Sequence, residues 1–157
     1  MTGVDLTAID GLEVLTVQTI ISEVGTDMSK WKSVKHFTAW LGLAPENEIS
    51  AGKVLRTGTK KVKSRANLAF RQAAMGASRG QSVLGVFYRR VRAKHGPGVA
   101  IVATAHKIAR IFYAMLKNRR EYISPDTTVY DAKQKERAIR HLKRKAAKLG
   151  LQVVSAA

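Results

Sequence analysis

One serine, Ser50, stands before an Ala51-Gly52 pair, and the residues after it include Lys53, Arg56, Lys60, Lys61, Lys63, Arg65 and Arg71. A serine hydroxyl is a weak nucleophile unless a base takes its proton or nearby cations favour the alkoxide. Attack on a phosphodiester further needs positive charge against the non-bridging oxygens. The lysines and arginines that follow Ser50 are of the type that meets this second need. A plainer reading is also open: a serine before Ala-Gly commonly serves a turn or a cap, bonded to its own backbone. Spacing alone leaves both readings standing.

Other chemistries find less support. His36, His95, His106 and His141 are far apart, and none has a carboxylate or a second histidine at a metal-ligand spacing, so zinc catalysis has no basis and no metal site is expected. The chain has no cysteine, which removes disulfides, thiolate metal sites and cysteine nucleophiles together. The run AGKVLRTGTKK has glycines and lysines like a nucleotide-binding P-loop. It fails the pattern, because five residues separate the glycines and Thr59 precedes Lys60. Asp5, Asp10, Glu13 and Glu23 lie on or beside one apolar helix and read as surface and dipole-matching charges.

The net charge of +17 is unevenly spread: before Ser50 seven acids face Lys30, Lys32 and Lys35, whereas from Ala51 onward 25 lysines and arginines face four acids. Such an excess favours salt-sensitive association with polyanions through counterion release, which makes nucleic acid the leading partner class. No stretch comes near the roughly 20 apolar residues that span a bilayer. Without a basic and apolar leader at the start, a cytoplasmic location is expected, with no membrane partner.

These residues need a scaffold, and helical periodicity supplies most of it. Leu6 to Val24 carries apolar residues at helical spacing up to Gly25, predicting a helix or helix pair. Within it, IDGLEVLTVQTII has the look of a helix-hairpin-helix, whose glycines let backbone amides approach a phosphate, although Glu13 stands where a second glycine is usual. Plain helix packing is the alternative use of Gly11. Ser33 to Trp40 reads as a short helix closed by Gly42 and Pro45. Trp31 and Trp40 could stack on bases but are expected in the core. Ala66, Ala69, Phe70, Ala73, Ala74 and Ala77 define an amphipathic helix with a small-residue face, and Leu84, Phe87, Tyr88 and Val91 define another, with Arg89, Arg90, Arg92 and Lys94 outside and Gly96-Pro97-Gly98 breaking it. Ile101, Ala105, Ile108, Ala109, Phe112 and Leu116 give a further helix, and Glu121 to Thr128 a linker.

From Tyr130 to Gly150 a narrow apolar stripe (Ile139, Leu142, Ala146, Leu149) is surrounded by cations, among them Lys143 and Arg144. Eight cations against Asp131 and Glu136 exceed what solubility needs, so this basic helix is expected to meet phosphates. Strand character is limited to a short stretch, Val54 to Thr57. The expected fold is thus mainly α: a compact helical bundle with a helix-hairpin-helix-like start (1–45), a glycine-containing basic loop around 47–62 within a second part (46–125), and a basic C-terminal helical extension (126–157).

The stretch ISEVGTDMSKWKSVKHFTAWLGLAPENEISAGKVLRTGTKKVKSRANLAFRQAA, with LGVFYRRV, TAHKIARIFYAMLK and EYISPD after it, resembles the C-terminal half of insertion-sequence transposases of the IS110 type. Such enzymes are similar in joining an N-terminal RuvC-like domain with four metal-binding acids to a helical C-terminal domain with an essential serine, and that serine's motif falls on Ser50. The resemblance implies attack of the serine on a DNA phosphodiester to give a phosphoserine linkage, and the charge distribution makes Lys53, Arg56, Lys60, Lys61, Lys63, Arg65, Arg71, Arg89, Arg90, Lys143 and Arg144 the expected nucleic-acid contacts. It implies magnesium on the RuvC-like domain and none on this chain. The implied partners are DNA, a structured guide RNA, a RuvC-like domain in trans or in a parent protein, and further copies in a homo-oligomer. Two departures stand out. Relatives have Ser-Gly-Gly or Ser-Gly where this chain has Ser50-Ala51-Gly52, and the four acids are not found. A truncated or split transposase, inactive by itself, is therefore expected. A non-catalytic DNA- or RNA-binding remnant and a helical module for an acidic protein are the alternatives.

Overall fold

Alanine at five inward positions predicts a helix with little bulk on its packed face. In the computed structural model, which describes residues 2–154, Ala66, Ala69, Phe70, Ala73, Ala74 and Ala77 are all buried on one helix, α3 (Arg65–Arg79). Small side chains let backbones approach closely, and α3 is packed by α1 (Val14–Val24), α4 (Val83–His95) and α5 (Pro97–Asn118). The closest approach is at Gly11, where an added Cβ would overlap the Ala73 carbonyl oxygen and come within 2.9 Å of Ala77 N. Its φ of 88° is likewise one that only glycine adopts readily. Gly11 thus uses its freedom to pack against a helix. Where a helix or helix pair was expected from Leu6, the chain forms a 3-10 turn (Leu6–Ala8) followed by α1.

Three phenylalanines bind α2 (Val34–Trp40) to α3 and α5. Phe37, Phe70 and Phe112 are fully buried, and Phe70 meets Phe112 edge-on at 5.4 Å and Phe37 at 6.4 Å. Edge-to-face pairs add about 0.5–1.5 kcal/mol each beyond their apolar area. Trp31 joins them, edge-on to Phe37 at 4.9 Å, whereas Trp40, tilted against Trp31, remains 44% exposed. Only the first tryptophan is therefore a core residue.

The expected break at Gly96-Pro97-Gly98 is confined to Gly96, because Pro97 begins α5, where its missing N–H is of no consequence. Ala105, Ile108, Ala109, Phe112 and Leu116 are buried as their spacing predicts. In length and hydropathy α5 is long and apolar enough to cross a membrane, which corrects the expectation that no segment comes near that size. Half of its apolar stretch is buried inside the fold, as a core helix requires. The chain start is tied beside the end of α5: Asp5 N donates to Glu121 Oε1 (3.1 Å) and Arg119 to the Thr2 carbonyl (2.8 Å).

The chain divides into two compact units, Met1–Ser124 and Pro125–Ala157. The second holds α6 (Thr127–Lys148), which starts three residues before the expected Tyr130 because Asp126 caps it, accepting from Thr128 N at 2.8 Å. No residue of α6 is buried, and Ile139 and Leu142 of its apolar stripe are exposed. The mainly α fold has one exception, a hairpin of β1 (Glu48–Ser50) and β2 (Lys53–Arg56), where a single stretch at Val54–Thr57 was expected.

Candidate functional site

The chain leaves α2 at Leu41 and returns at α3, and both ends of this excursion are clamped. Asn67 Nδ2, in the first turn of α3, donates to the Leu41 carbonyl at 2.6 Å. Ser64 Oγ accepts from Asn67 N (3.1 Å) and Glu23 Oε2 of α1 accepts from Ala66 N (2.8 Å), so two side chains satisfy the open amides at the start of α3. Gly42 has φ 67°, and a Cβ there would lie 2.8 Å from both the Lys60 carbonyl oxygen and Val62 Cγ2. The returning strand of the loop thus rests directly on a glycine.

Beyond the clamp the chain runs out as a two-stranded arm. Pro45 bridges Thr59, Glu46 N donates to the Gly58 carbonyl at 2.8 Å, and β1 pairs antiparallel with β2 as Ile49↔Val54 and Ser50↔Lys53, with an irregularity between Glu48 and Ile49. Every residue from Pro45 to Gly58 is exposed. The connection is two residues long, with Ala51 at φ 47° and Gly52 at φ 76°. Positive φ at both positions is the signature of the type I′ turn, whose twist suits a hairpin. Ser50 is consequently the last residue before the turn, directly across from Lys53. Cross-strand partners share a face with Cβ atoms about 5 Å apart, so the lysine ammonium can reach the serine hydroxyl's surroundings. Ile49 and Val54 occupy the other face, both more than half exposed.

The cations gather at the base of the arm. Lys60, Lys61, Lys63 and Arg71 line a cleft of about 320 Å³ with Asn67 and Gly42. Arg56, Lys60 and Lys61 line an adjoining one of about 520 Å³, which Glu46 and Glu48 also enter. Lys60 and Lys61 face both, so the two clefts form one basic trough. None of Lys53, Arg56, Lys60, Lys61, Lys63, Arg65 or Arg71 forms a salt bridge; the one ion pair among the described residues joins Arg140 to Glu136 at 2.6 Å. Arg65, exposed at the start of α3, and Ser50 at the arm's tip lie outside the two clefts.

The remaining predicted contacts are placed elsewhere. Arg89 donates to the Gly80 carbonyl at 2.9 Å and to Gln81 Oε1 at 3.3 Å, which commits its guanidinium to the α3–α4 corner. Arg90 lies 5.6 Å from the Phe87 ring centre. Lys143 and Arg144 are on α6, where Arg144 lines a shallow basic pocket with His141, Lys145 and Lys148. Asn67, Glu23 and Gly42 escape a sequence reading that looks for cations and nucleophiles. Ser64, a capping residue type just ahead of the alanine-faced helix, is the sequence signal by which this corner could be found.

Among the described residues no three His, Asp or Glu side chains cluster so as to hold a metal ion. Compared with known proteins, residues 5–89, more than half of the chain, match the family described as "Transposase IS116/IS110/IS902 family". No curated protein and no solved structure matches.

Proposed function

The chain belongs to the transposase IS116/IS110/IS902 family, and we propose on that premise that Ser50 is its nucleophile and the arm with its basic trough the surface that meets the DNA backbone. Family membership gives the chain a role in DNA transposition. What carries the finer reading is the hairpin: it presents a serine at the corner of an exposed arm, opposite one lysine and above four further cations.

The chemistry is a transesterification. Ser50 Oγ attacks phosphorus, the bond from phosphorus to one bridging oxygen breaks, and the sugar hydroxyl leaves with a proton while the strand stays attached as phosphoserine. Lys53 favours the alkoxide electrostatically, and Lys60, Lys61, Lys63 and Arg71 hold neighbouring phosphates in register. Strand exchange then reverses the step with a different sugar hydroxyl. The metal-bearing half of the reaction would be supplied by a RuvC-like domain, in trans or in a parent protein, and a structured guide RNA and further copies would complete the assembly.

A denaturant-resistant protein–DNA adduct tests this reading. The chain is mixed with element DNA, guide RNA, magnesium and a separately supplied RuvC-like half. Wild type should give the adduct and Ser50→Ala none. Equal absence in both, with binding retained, leaves a non-catalytic nucleic-acid-binding protein.

A further inference from the structure

We propose that the outer face of α5 is a second nucleic-acid groove, which takes the phosphodiester backbone of a strand through Lys107, Arg110 and Lys117 independently of the serine arm. A cleft of about 470 Å³ lies on this face, lined by Val34, Ile111 and Ala114 together with the three cations. It shares no residue with the clefts at the base of the arm.

The stripe follows from helix geometry. Positions 107, 110, 114 and 117 fall on one face at i, i+3, i+7 and i+10, and Ala114 keeps the middle open. At 1.5 Å per residue the cations extend over about 15 Å, which is the axial length of roughly four phosphates on one strand. Two of the three heads, those of Lys107 and Lys117, are held in place beforehand. Lys107 Nζ sits 4.6 Å over the Phe87 ring, and Lys117 Nζ donates to Tyr113 Oη at 3.2 Å, whose hydroxyl donates to the Trp31 carbonyl at 3.3 Å. Arg110 is exposed, and neither it nor Lys117 forms a salt bridge.

The cations on this face crowd one another. Burial holds the Lys107 ammonium below the ordinary lysine range, and the nearby charges of Arg90 and Arg110 lower it further. His106 beside it is depressed by burial and by Arg110. A phosphate laid across these cations would offset that mutual repulsion, and the apolar lining residues suit the sugar and base faces between phosphates. With two basic grooves on separate residues, the first unit can hold two strands at once. The inference does not depend on covalent chemistry at Ser50 and survives if that chemistry fails.

The test uses the isotope-labelled full chain, titrated with a short oligothymidylate, an oligouridylate of equal length, and oligoglutamate. Backbone amides of Ala114 and Asn118 should shift and saturate with the oligonucleotides, in wild type and in a Lys60→Gln, Lys61→Gln variant alike. They should stay unmoved in Arg110→Gln, Lys117→Gln, whose salt slope for single strands should fall by about 1.4, at roughly 0.7 per phosphate contact. Arg110→Lys, Lys117→Arg, which keeps the charge, should retain both signals. The tighter of the two oligonucleotides assigns the groove to DNA or RNA. Unchanged shifts and slope in the folded glutamine variant overturn the proposal, and so does a response to oligoglutamate alone.

Discussion

Replacing Ala51 by glycine should raise the population of the formed hairpin and leave the stability of the rest of the molecule unchanged. Ala51 sits at φ 47°, a left-handed conformation that costs a residue with a Cβ about 1–2 kcal/mol. Glycine removes that strain but has more freedom to lose, which takes back about 0.4–1 kcal/mol. The net gain is about 0.5–1 kcal/mol, or roughly 2–5-fold in the ratio of formed to unformed arm. Gly52→Ala makes the opposite exchange at φ 76°, with no neighbouring atom within 4 Å to add a clash, and should lower the ratio by a similar factor. Since nothing from Pro45 to Gly58 is buried, neither change should move the thermal midpoint. The readout is hydrogen exchange of the β1 and β2 amides, in the order Ala51→Gly slowest, wild type, Gly52→Ala fastest. If serine presentation limits adduct formation, adduct yield follows the same order. Equal exchange in all three proteins would refute the assignment of a strained turn beside Ser50.

Gly42→Ala should displace the returning loop, because its Cβ would press on the Lys60 carbonyl and Val62; a loss of about 2 kcal/mol in a thermal melt and weaker oligonucleotide binding by anisotropy are expected. His106 titrates below its ordinary value of 6.5 because burial, then Arg110, disfavours its charged form. The unfolded chain thus binds its proton more readily, so stability is full above about pH 6.5 and falls as the pH drops below it. Melting temperature against pH should show that fall, and His106→Gln should flatten it. Truncation after Thr128 removes the cations of α6 but no buried residue, so it should weaken binding and reduce the salt slope while the helical spectrum of the first unit persists. Unchanged affinity would give α6 another partner.

How far the fold could be read in advance depended on whether an element has something to bury. All six inward positions of α3 and five of the six named on α5 are buried, because a core imposes the helical period on residue type. The arm imposes nothing of the kind. With both faces in water, β1 and β2 carry no alternation to detect, and a turn built on Ala51-Gly52 lacks the Asn-Gly or Asp-Gly pair that marks such hairpins. The same asymmetry governs the site. Lys60, Lys61, Lys63 and Arg71 are recognisable as cations near a serine, but Arg89 looked equally available and is engaged with the end of α3. Lys107, Arg110 and Lys117 belong to a helix whose strongest sequence signal is its apolar face, which says nothing of how its cations are grouped. Which cations meet in space depends on helix packing, and α2 and α5 are packed against each other through the uncharged pair Phe37 and Phe112.

The clamp at Gly42 and Asn67 makes the hairpin a lever. From Pro45 to Ser50 a strand rising about 3.3 Å per residue holds the hydroxyl up to about 17 Å from its fulcrum. A tilt of about 10° at the base would swing the tip by roughly 3 Å, comparable to the approach distance of reacting atoms and several times the error that a nucleophile tolerates. The chain can thus aim Ser50 over a wide arc but cannot by itself hold it on target. On the proposed role of Ser50, accuracy would have to be imposed by whatever grips the tip, and the timing of the step would then follow that grip.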